Sequence, residues 1–325
     1  MKITKRLCAL MLLGTALSPA LTAATTPPSI ATSFETFWKA AQGQPFERQE
    51  ALWDSLIEQP RQELYDQVVW EKRDNTQWQK DKTLGLKYRF AKYPAISGQI
   101  PEATRALETQ IPLQVARFRK LFPDASAKPR VAVVLAPDFD SKSGVMADGK
   151  PVLALAIDTL ILEKADLSIL FPHELFHLYD AMRTGISNDG VMPDTQLTLP
   201  LFEEGFATYV STLVSPGKPD AQYLFQNDLG ALPPTRLPDA ARRFLQTADQ
   251  PTLDPAHHSM NYARWFEGNI TAYQKDLPNR SGYWLGLNLV RQMAKSHTLN
   301  EMAAWGPAKA QQETLAALKV MAATP

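Results

Sequence analysis

The chain has 325 residues, of which 34 are basic and 34 are acidic, so its formal net charge is zero. This balance argues against a nucleic-acid partner, which would require a clustered basic surface. A chain of this length can bury its own hydrophobic core, and it allows one or two domains.

The first 24 residues have the pattern of a secretory signal peptide. Three basic residues precede an apolar stretch over residues 7–17, and small residues between Ala20 and Ala24 indicate the cleavage site. The alternative is a buried N-terminal helix. The apolar stretch is too short for a permanent membrane anchor, and no second run of membrane length follows. We therefore expect an exported protein, periplasmic or extracellular, with no stable membrane anchor after cleavage.

Removal of residues 1–24 would leave 31 basic and 34 acidic residues, a net charge of −3. It would also remove Cys8, the single cysteine of the chain. The mature protein would then have neither a cysteine nucleophile nor a cysteine-ligated metal.

Residues 25–125 are predicted to form an N-terminal helical region. Apolar residues recur at helical spacing within Phe46–Glu58 and along the longer segment Pro101–Phe122. The region is either a cap on the domain that follows or an inhibitory pro-segment, and its composition favours neither.

Two apolar runs follow, Arg130–Ala136 and Pro151–Ile157, and both predict strands of a small sheet. The segment between them contains Gly144 and Gly149 and is predicted to be a polar loop. The second run is a candidate edge strand, to which an extended peptide could add by strand pairing.

The most specific pattern is the run His173-Glu-Leu-Phe-His177, which is flanked by apolar residues typical of a buried helix. On a helix, His173 and His177 lie about one turn apart on one face, where both can reach a single metal ion. Glu174 lies beside that face and is suited to take a proton from a metal-bound water.

A second buried helix is predicted around Leu201–Val210, where large apolar residues recur at helical spacing. It carries the adjacent carboxylates Glu203 and Glu204. Buried carboxylates need a partner or a metal, and catalytic zinc sites commonly use three protein ligands. The alternative is a carboxylate stabilised by the dipole at the start of the helix.

Asp180 is a rival for the third ligand position. A straight helix separates it from His173 by about 10 Å, too far for both to bind one ion. We therefore interpret Asp180 as an acceptor for an imidazole N–H, the contact that fixes the orientation of a metal-binding ring. A solvated acid at the end of the helix is the alternative.

These motifs carry a family resemblance. Glu204-Gly-Phe-Ala-Thr-Tyr209 resembles the Asn-Glu-Gly-Phe-Ala stretch of gluzincin metallopeptidases such as the aminopeptidase N group. In that match, Glu204 is the third zinc ligand and Glu203 stands where asparagine is usual. The 26 residues between His177 and Glu204 exceed the spacing in thermolysin and the aminopeptidase N group, and the turn-forming insert 184–193 fits the extra length.

Over residues 100–305 the chain is similar to the bacterial "predicted zinc-dependent protease" group of gluzincins, in which a Gly-Tyr-x-x-Gly helix follows the third-ligand helix. Gly282-Tyr-Trp-Leu-Gly286 matches that helix. The resemblance implies an α+β, zincin-like metallopeptidase domain over residues 126–325. Its small sheet would pack on the His-Glu helix, with a mostly helical structure elsewhere.

The same resemblance implies Zn²⁺ bound by His173, His177 and Glu204, with Glu174 as the general base and a peptide or protein as the substrate. Gluzincins use a tyrosine or histidine to stabilise the oxyanion, and Tyr283 is the candidate.

Other residues are alternatives for the oxyanion role. They are Tyr209, Tyr262 and the pair His257 and His258. The histidine pair could also bind a second metal or be part of a surface loop, and Tyr283 could be a core residue.

A different function is an exported binding or envelope-assembly protein with a structural or absent metal. Glu174 weighs against it, because a structural site needs no carboxylate between its histidines. A serine hydrolase is excluded because the chain has no Gly-x-Ser-x-Gly motif. Endopeptidase and exopeptidase action, and the oligomeric state, stay open.

Overall fold

The computed structural model describes residues 27–72, 77–184, 195–254, 256, 259–268 and 276–324. These residues are mostly helical, with one sheet of three strands and one of two. The predicted α+β class is confirmed. The predicted signal peptide and the pair His257 and His258 lie outside the described residues.

The described residues among the first 125 form helices and no strands. The α-helices are α1 (Ile30–Ala41), α2 (Phe46–Trp53), α3 (Gln62–Leu64), α4 (Gln77–Ile96) and α5 (Gln99–Leu121). Wider π turns continue α2 and α3 at Asp54–Glu58 and Tyr65–Val69, and a 3-10 turn at Gln59–Arg61 joins them.

The three-stranded sheet has the order β1-β3-β2 and is formed by β1 (Val131–Val134), β2 (Ser141–Val145) and β3 (Pro151–Ala156). β1 runs parallel to β3, with Val131 opposite Leu153, and β2 runs antiparallel to β3. β3 is therefore the central strand, and the expectation that it lies at an edge is wrong. The predicted polar loop contains β2, which occupies that edge of β3.

The remaining elements surround the sheet and one another. They are α6 (Ile157–Glu163), α7 (Leu167–Thr184), α8 (Thr198–Val214), α9 (Asp220–Tyr223), α10 (Asn227–Gly230), α11 (Leu237–Leu245), β4 (Leu253–Asp254), β5 (Ser259–Met260), α12 (Ala263–Phe266), α13 (Ser281–Met293), α14 (Leu299–Ala303) and α15 (Pro307–Ala323). No described helix is both long enough and apolar enough to cross a membrane.

One hydrophobic core extends from α1 to α15. The helix α7 packs against β3, α5 and α8, and α8 packs against α13 and α15. The predicted packing of the sheet on the His-Glu helix is therefore observed. The apolar residues that the helical periodicity of α7 and α8 predicts to be buried are buried, except Tyr209, which is half-buried, and Leu213, which is exposed.

Buried polar contacts tie the N-terminal helices to the sheet region. The Tyr65 hydroxyl donates to the carbonyl of Leu135 at 3.0 Å. Asp158 at the start of α6 is fully buried, and it accepts a hydrogen bond from Tyr93 at 3.1 Å and pairs with Arg89 at 3.4 Å. Residues on both sides of position 125 thus complete the same buried network.

Replacing Arg89 with Met should be strongly destabilising. The Asp158 carboxylate would remain buried without its cation, which typically costs about 3–5 kcal/mol. Burial already raises the pKa of Asp158, and Arg89 opposes that rise. The loss of free energy of unfolding should therefore become smaller as pH falls and Asp158 takes up a proton. Urea unfolding at several pH values would measure this dependence.

Arg105→Met is the matched control. Arg105 pairs with Glu35 at 3.3 Å, but both side chains are more than half exposed. Its removal should change the free energy of unfolding by less than about 1 kcal/mol. Equal effects of the two substitutions would contradict a stabilising role for the buried pair.

Candidate functional site

The helix α7 holds the two histidines of the motif. Asp166 caps its start, accepting a hydrogen bond from the backbone N–H of Ser168 at 3.0 Å. The buried residues Phe171 and Phe176 fix its rotation against the core. As a result, His173 and His177 lie on one face with their ring centroids 4.8 Å apart.

The helix α8 presents Glu204 to the same point. The fully buried Phe206 packs on Phe176 of α7, with ring centroids 4.5 Å apart, and so fixes the two helices side by side. One oxygen of Glu204 lies 3.2 Å from Nε2 of His173 and 3.6 Å from Nε2 of His177.

Backbone contact between α8 and α13 brings a further residue to the site. A Cβ on Gly205 would lie 2.4 Å from the carbonyl carbon of Gly286, and a Cβ on Gly286 would lie 2.6 Å from the carbonyl oxygen of Leu201. The crossing therefore requires glycine at both positions. Glu204 precedes one glycine and Tyr283 lies one turn before the other, so the crossing brings both to the same place.

The three predicted metal ligands form a compact triangle. Nε2 of His173 and Nε2 of His177 are 3.1 Å apart, and the two distances to Glu204 complete the triangle at 3.2 and 3.6 Å. Ligand atoms around a tetrahedral zinc ion, at about 2.0–2.2 Å from it, lie about 3.3–3.6 Å from one another. The residues present thus fit a zinc ion in spacing and in donor type. They form the one such group of three among the described residues.

The charges of these groups are strongly coupled. Burial alone would raise the pKa of Glu204, but the charge of His177 and hydrogen bonds from both histidines hold that pKa far below its ordinary value. Burial lowers the pKa of His177, yet the attraction of Glu204 outweighs it and raises this pKa to about 9. The mutual attraction of these groups favours an imidazolium–carboxylate pair, so a metal ion that binds here would compete with the proton of His177.

Two further carboxyl groups, those of Glu203 and Asp180, interact electrostatically with His177. Burial, together with repulsion from Asp180, raises the pKa of Glu203 to about 8. Burial also raises the pKa of Asp180 to about 6, against the attraction of His177. Asp180 is thus buried and electrostatically coupled to an imidazole, so the alternative of a solvated helix-end acid is wrong. Its hydrogen bond to an imidazole N–H stays a prediction.

One residue of the ligand triangle, His173, lines a cleft of about 610 Å³. The lining of the cleft also includes Glu174 and Tyr283. Burial raises the pKa of Glu174, although His173 and His177 act in the opposite direction. A carboxylate with a raised pKa thus faces the space beside the proposed metal position.

The structure separates the tyrosine candidates. The ring of Tyr283 lies 6.4 Å from that of His173 and 5.7 Å from that of Phe266, on which Tyr262 also stacks at 4.8 Å. Burial and the charge of Glu204 raise the pKa of Tyr283, so its hydroxyl keeps its proton at neutral pH. Tyr209 does not line the cleft.

Five further charged residues line the cleft and have no role in the sequence prediction: Asp140, Glu163, Lys164, Asp166 and Arg280. Asp140 lies directly before β2, and Arg280 lies directly before α13. Arg280 adjoins the predicted start of α13, which is the one sequence signal for it. Asp140 has none, because the strand that positions it was predicted to be a loop.

The site has no counterpart in the comparisons. No protein-family model, curated protein or solved structure matches this chain. Its chemistry is therefore inferred from its own residues.

Replacing Gly205 with Ala should disrupt the crossing of α8 and α13. The added methyl would overlap the backbone of Gly286, so the helices must separate, and overpacking of this kind typically costs about 1–3 kcal/mol or more. Thermal and urea unfolding would measure the loss.

Gly98→Ala is the control, because a Cβ at Gly98 meets no atom within 4 Å and its φ is −68°. That substitution should leave stability unchanged or raise it by up to about 1 kcal/mol. A Gly205→Ala protein as stable as the control would mean that the crossing is not constrained by its glycines.

Proposed function

We propose that this protein is a zinc-dependent peptidase with a zincin-like, gluzincin-type catalytic domain. The observation that carries the proposal is the triangle of His173, His177 and Glu204, with Glu174 beside it on an open cleft. Two imidazoles and one carboxylate are a ligand set of catalytic zinc sites, which keep a fourth position for water or substrate. When bound, zinc lowers the pKa of water and polarises a carbonyl group.

Glu174 is the proposed general base. It accepts a proton from the attacking water and passes it to the leaving amine of the cleaved peptide. Its raised pKa suits both steps. A more basic carboxylate takes the proton from water more readily, and the carboxyl group that results is still acidic enough to protonate the leaving amine.

Tyr283 is the proposed oxyanion stabiliser. Its hydroxyl keeps its proton and can donate a hydrogen bond to the oxygen that becomes negative as the peptide carbonyl is attacked. Packing against Phe266, with ring centroids 5.7 Å apart, holds the Tyr283 ring in place beside the cleft.

The central test separates the base from the ligands. Glu174→Gln should retain about one zinc per chain, while hydrolysis of a peptide mixture falls by a factor on the order of 10² to 10⁴. His177→Ala should lose zinc because it removes a ligand atom, and Glu204→Gln should bind zinc more weakly because it replaces an anionic ligand with a neutral one. Metal analysis and mass spectrometry of digests on the same preparations measure both properties.

His297→Ala is the matched histidine control. His297 pairs with Glu301 at 3.0 Å, outside the cleft lining, so its loss should leave zinc content and hydrolysis unchanged. Wild-type hydrolysis by Glu174→Gln would refute the general-base role, and undiminished zinc in His177→Ala would refute the metal site. Zinc without any hydrolysis in the wild type would favour the alternative of an exported binding or envelope-assembly protein.

We also propose that the protein is exported and acts in the periplasm or outside the cell. The support is the charge and hydropathy pattern of residues 1–24. N-terminal sequencing of the protein from its native cell should give a start between positions 21 and 25, and a protein that begins at Met1 would contradict the proposal.

A further inference from the structure

Arg280 lies close to the proposed reaction centre. Its guanidinium is 4.6 Å from the centre of the Tyr283 ring, and that ring is 6.4 Å from the ring of His173. Arg280 also lines the same cleft as His173 and Glu174. The guanidinium is therefore at most about 11 Å from the His173 ring, a distance that an extended peptide spans in about three residues.

The backbone at Arg280 has an unusual conformation. Four non-glycine residues in the described part of the chain have positive φ, and three of them line the cleft: Lys164, Phe225 and Arg280. Lys164 and Phe225 follow the ends of helices, where left-handed residues are common. Arg280 has a φ of 63° but lies directly before a helix, not after one. The left-handed residue that commonly ends a helix therefore does not explain its strained backbone. Such strain tends to occur at functional sites.

The guanidinium of Arg280 has no ion-pair or hydrogen-bond partner among the residues that the structure describes. Several other arginines in the described part of the chain are paired, as Arg291 is with Asp220 at 2.6 Å and Arg243 with Asp276 at 2.6 Å. The face of Tyr283 supports the guanidinium and leaves its N–H donors for another group.

The other charges in the cleft limit what this group can be. Four carboxyl groups line the same cleft, those of Asp140, Glu163, Asp166 and Glu174, against one lysine and one arginine, Lys164 and Arg280. This excess of acidic groups would repel a dianion such as a phosphate more strongly than a ligand with a single negative charge. A carboxylate has one charge and the planar shape that an arginine binds with two parallel hydrogen bonds.

We propose that Arg280 binds a carboxylate of the peptide substrate, within about three residues of the scissile bond. This inference rests on the proposed peptidase function and gives it a substrate class. The carboxylate is either the free C-terminus of a short peptide or the side chain of an Asp or Glu. A role limited to supporting the Tyr283 ring would produce no preference between charged and neutral ligands.

The test is equilibrium binding to the zinc-loaded Glu174→Gln protein, measured by NMR titration because short peptides bind weakly. One pair of probes is N-acetyl-tetraalanine as the free acid and as the amide. A second set is N-acetyl-pentaalanine amide with one Glu, or one Gln, at each position in turn. The free acid, or the Glu peptides, should bind on the order of tenfold more tightly than their neutral partners.

Substitutions assign that preference to Arg280. Arg280→Met, in the Glu174→Gln background, should reduce the ratio of acid to neutral affinity to about one, and Arg280→Lys should restore part of it. Lys164→Met is the control. It removes the other cation of the cleft, also at a left-handed position, and should leave the ratio unchanged.

The outcomes separate the two carboxylate sources and the two proposals. Preference for the tetraalanine acid indicates a C-terminal carboxylate, and preference for Glu peptides indicates an acidic side chain. Equal binding of acid and neutral probes, binding of neither, or a preference that survives Arg280→Met overturns the inference. An Arg280-dependent preference in a wild-type protein that hydrolyses no peptide would overturn the peptidase proposal and leave the carboxylate site standing.

Discussion

The direct backbone contact between α8 and α13 is the constraint on which the site depends. Helices at ordinary separation are kept apart by side chains, but Gly205 and Gly286 let these two approach until their backbones touch. Glu204 and Tyr283 are each within three residues of that contact. The contact therefore determines how far the proposed oxyanion donor lies from the proposed metal ligand, and a methyl group at either glycine would change that distance.

The same region concentrates acidic groups in a buried position. Glu174, Asp180 and Glu203 have raised pKa values because burial disfavours their charged forms. Glu204 is the exception, since two imidazoles bind it. Such a cluster is unfavourable for folding unless protons or cations compensate it. This cost is typical of a site selected for chemistry rather than for stability.

The N-terminal helices bear on the stability of the whole unit. Arg89 and Tyr93 of α4 reach Asp158, which lies two residues beyond the end of the central strand of the sheet. Removal of this region as a pro-segment would leave the buried carboxylate of Asp158 without its contacts to Arg89 and Tyr93. The arrangement therefore favours the interpretation of this region as an integral cap over that of a removable segment.

The sequence by itself determined the local features of the site. His173 and His177 are four residues apart, and any helix places such residues on one face, so their convergence needs no knowledge of the fold. The apolar periodicity of α7 and α8 likewise predicted two buried helices, because burial is a property of the pattern. The family resemblance singled out Glu204 and Tyr283, and the structure places both beside the histidines.

Tertiary structure alone decided the features that depend on distant parts of the chain. β2 is rich in serine, lysine and glycine, which have weak strand propensity, and it is a strand because β3 supplies its hydrogen bonds. The pairing of Arg89 with Asp158 joins residues 69 positions apart, which no local pattern encodes. Arg280 faces the cleft because the α8–α13 crossing and the left-handed turn before α13 direct it there. Local periodicity follows from backbone geometry, whereas these contacts follow from how the whole chain packs.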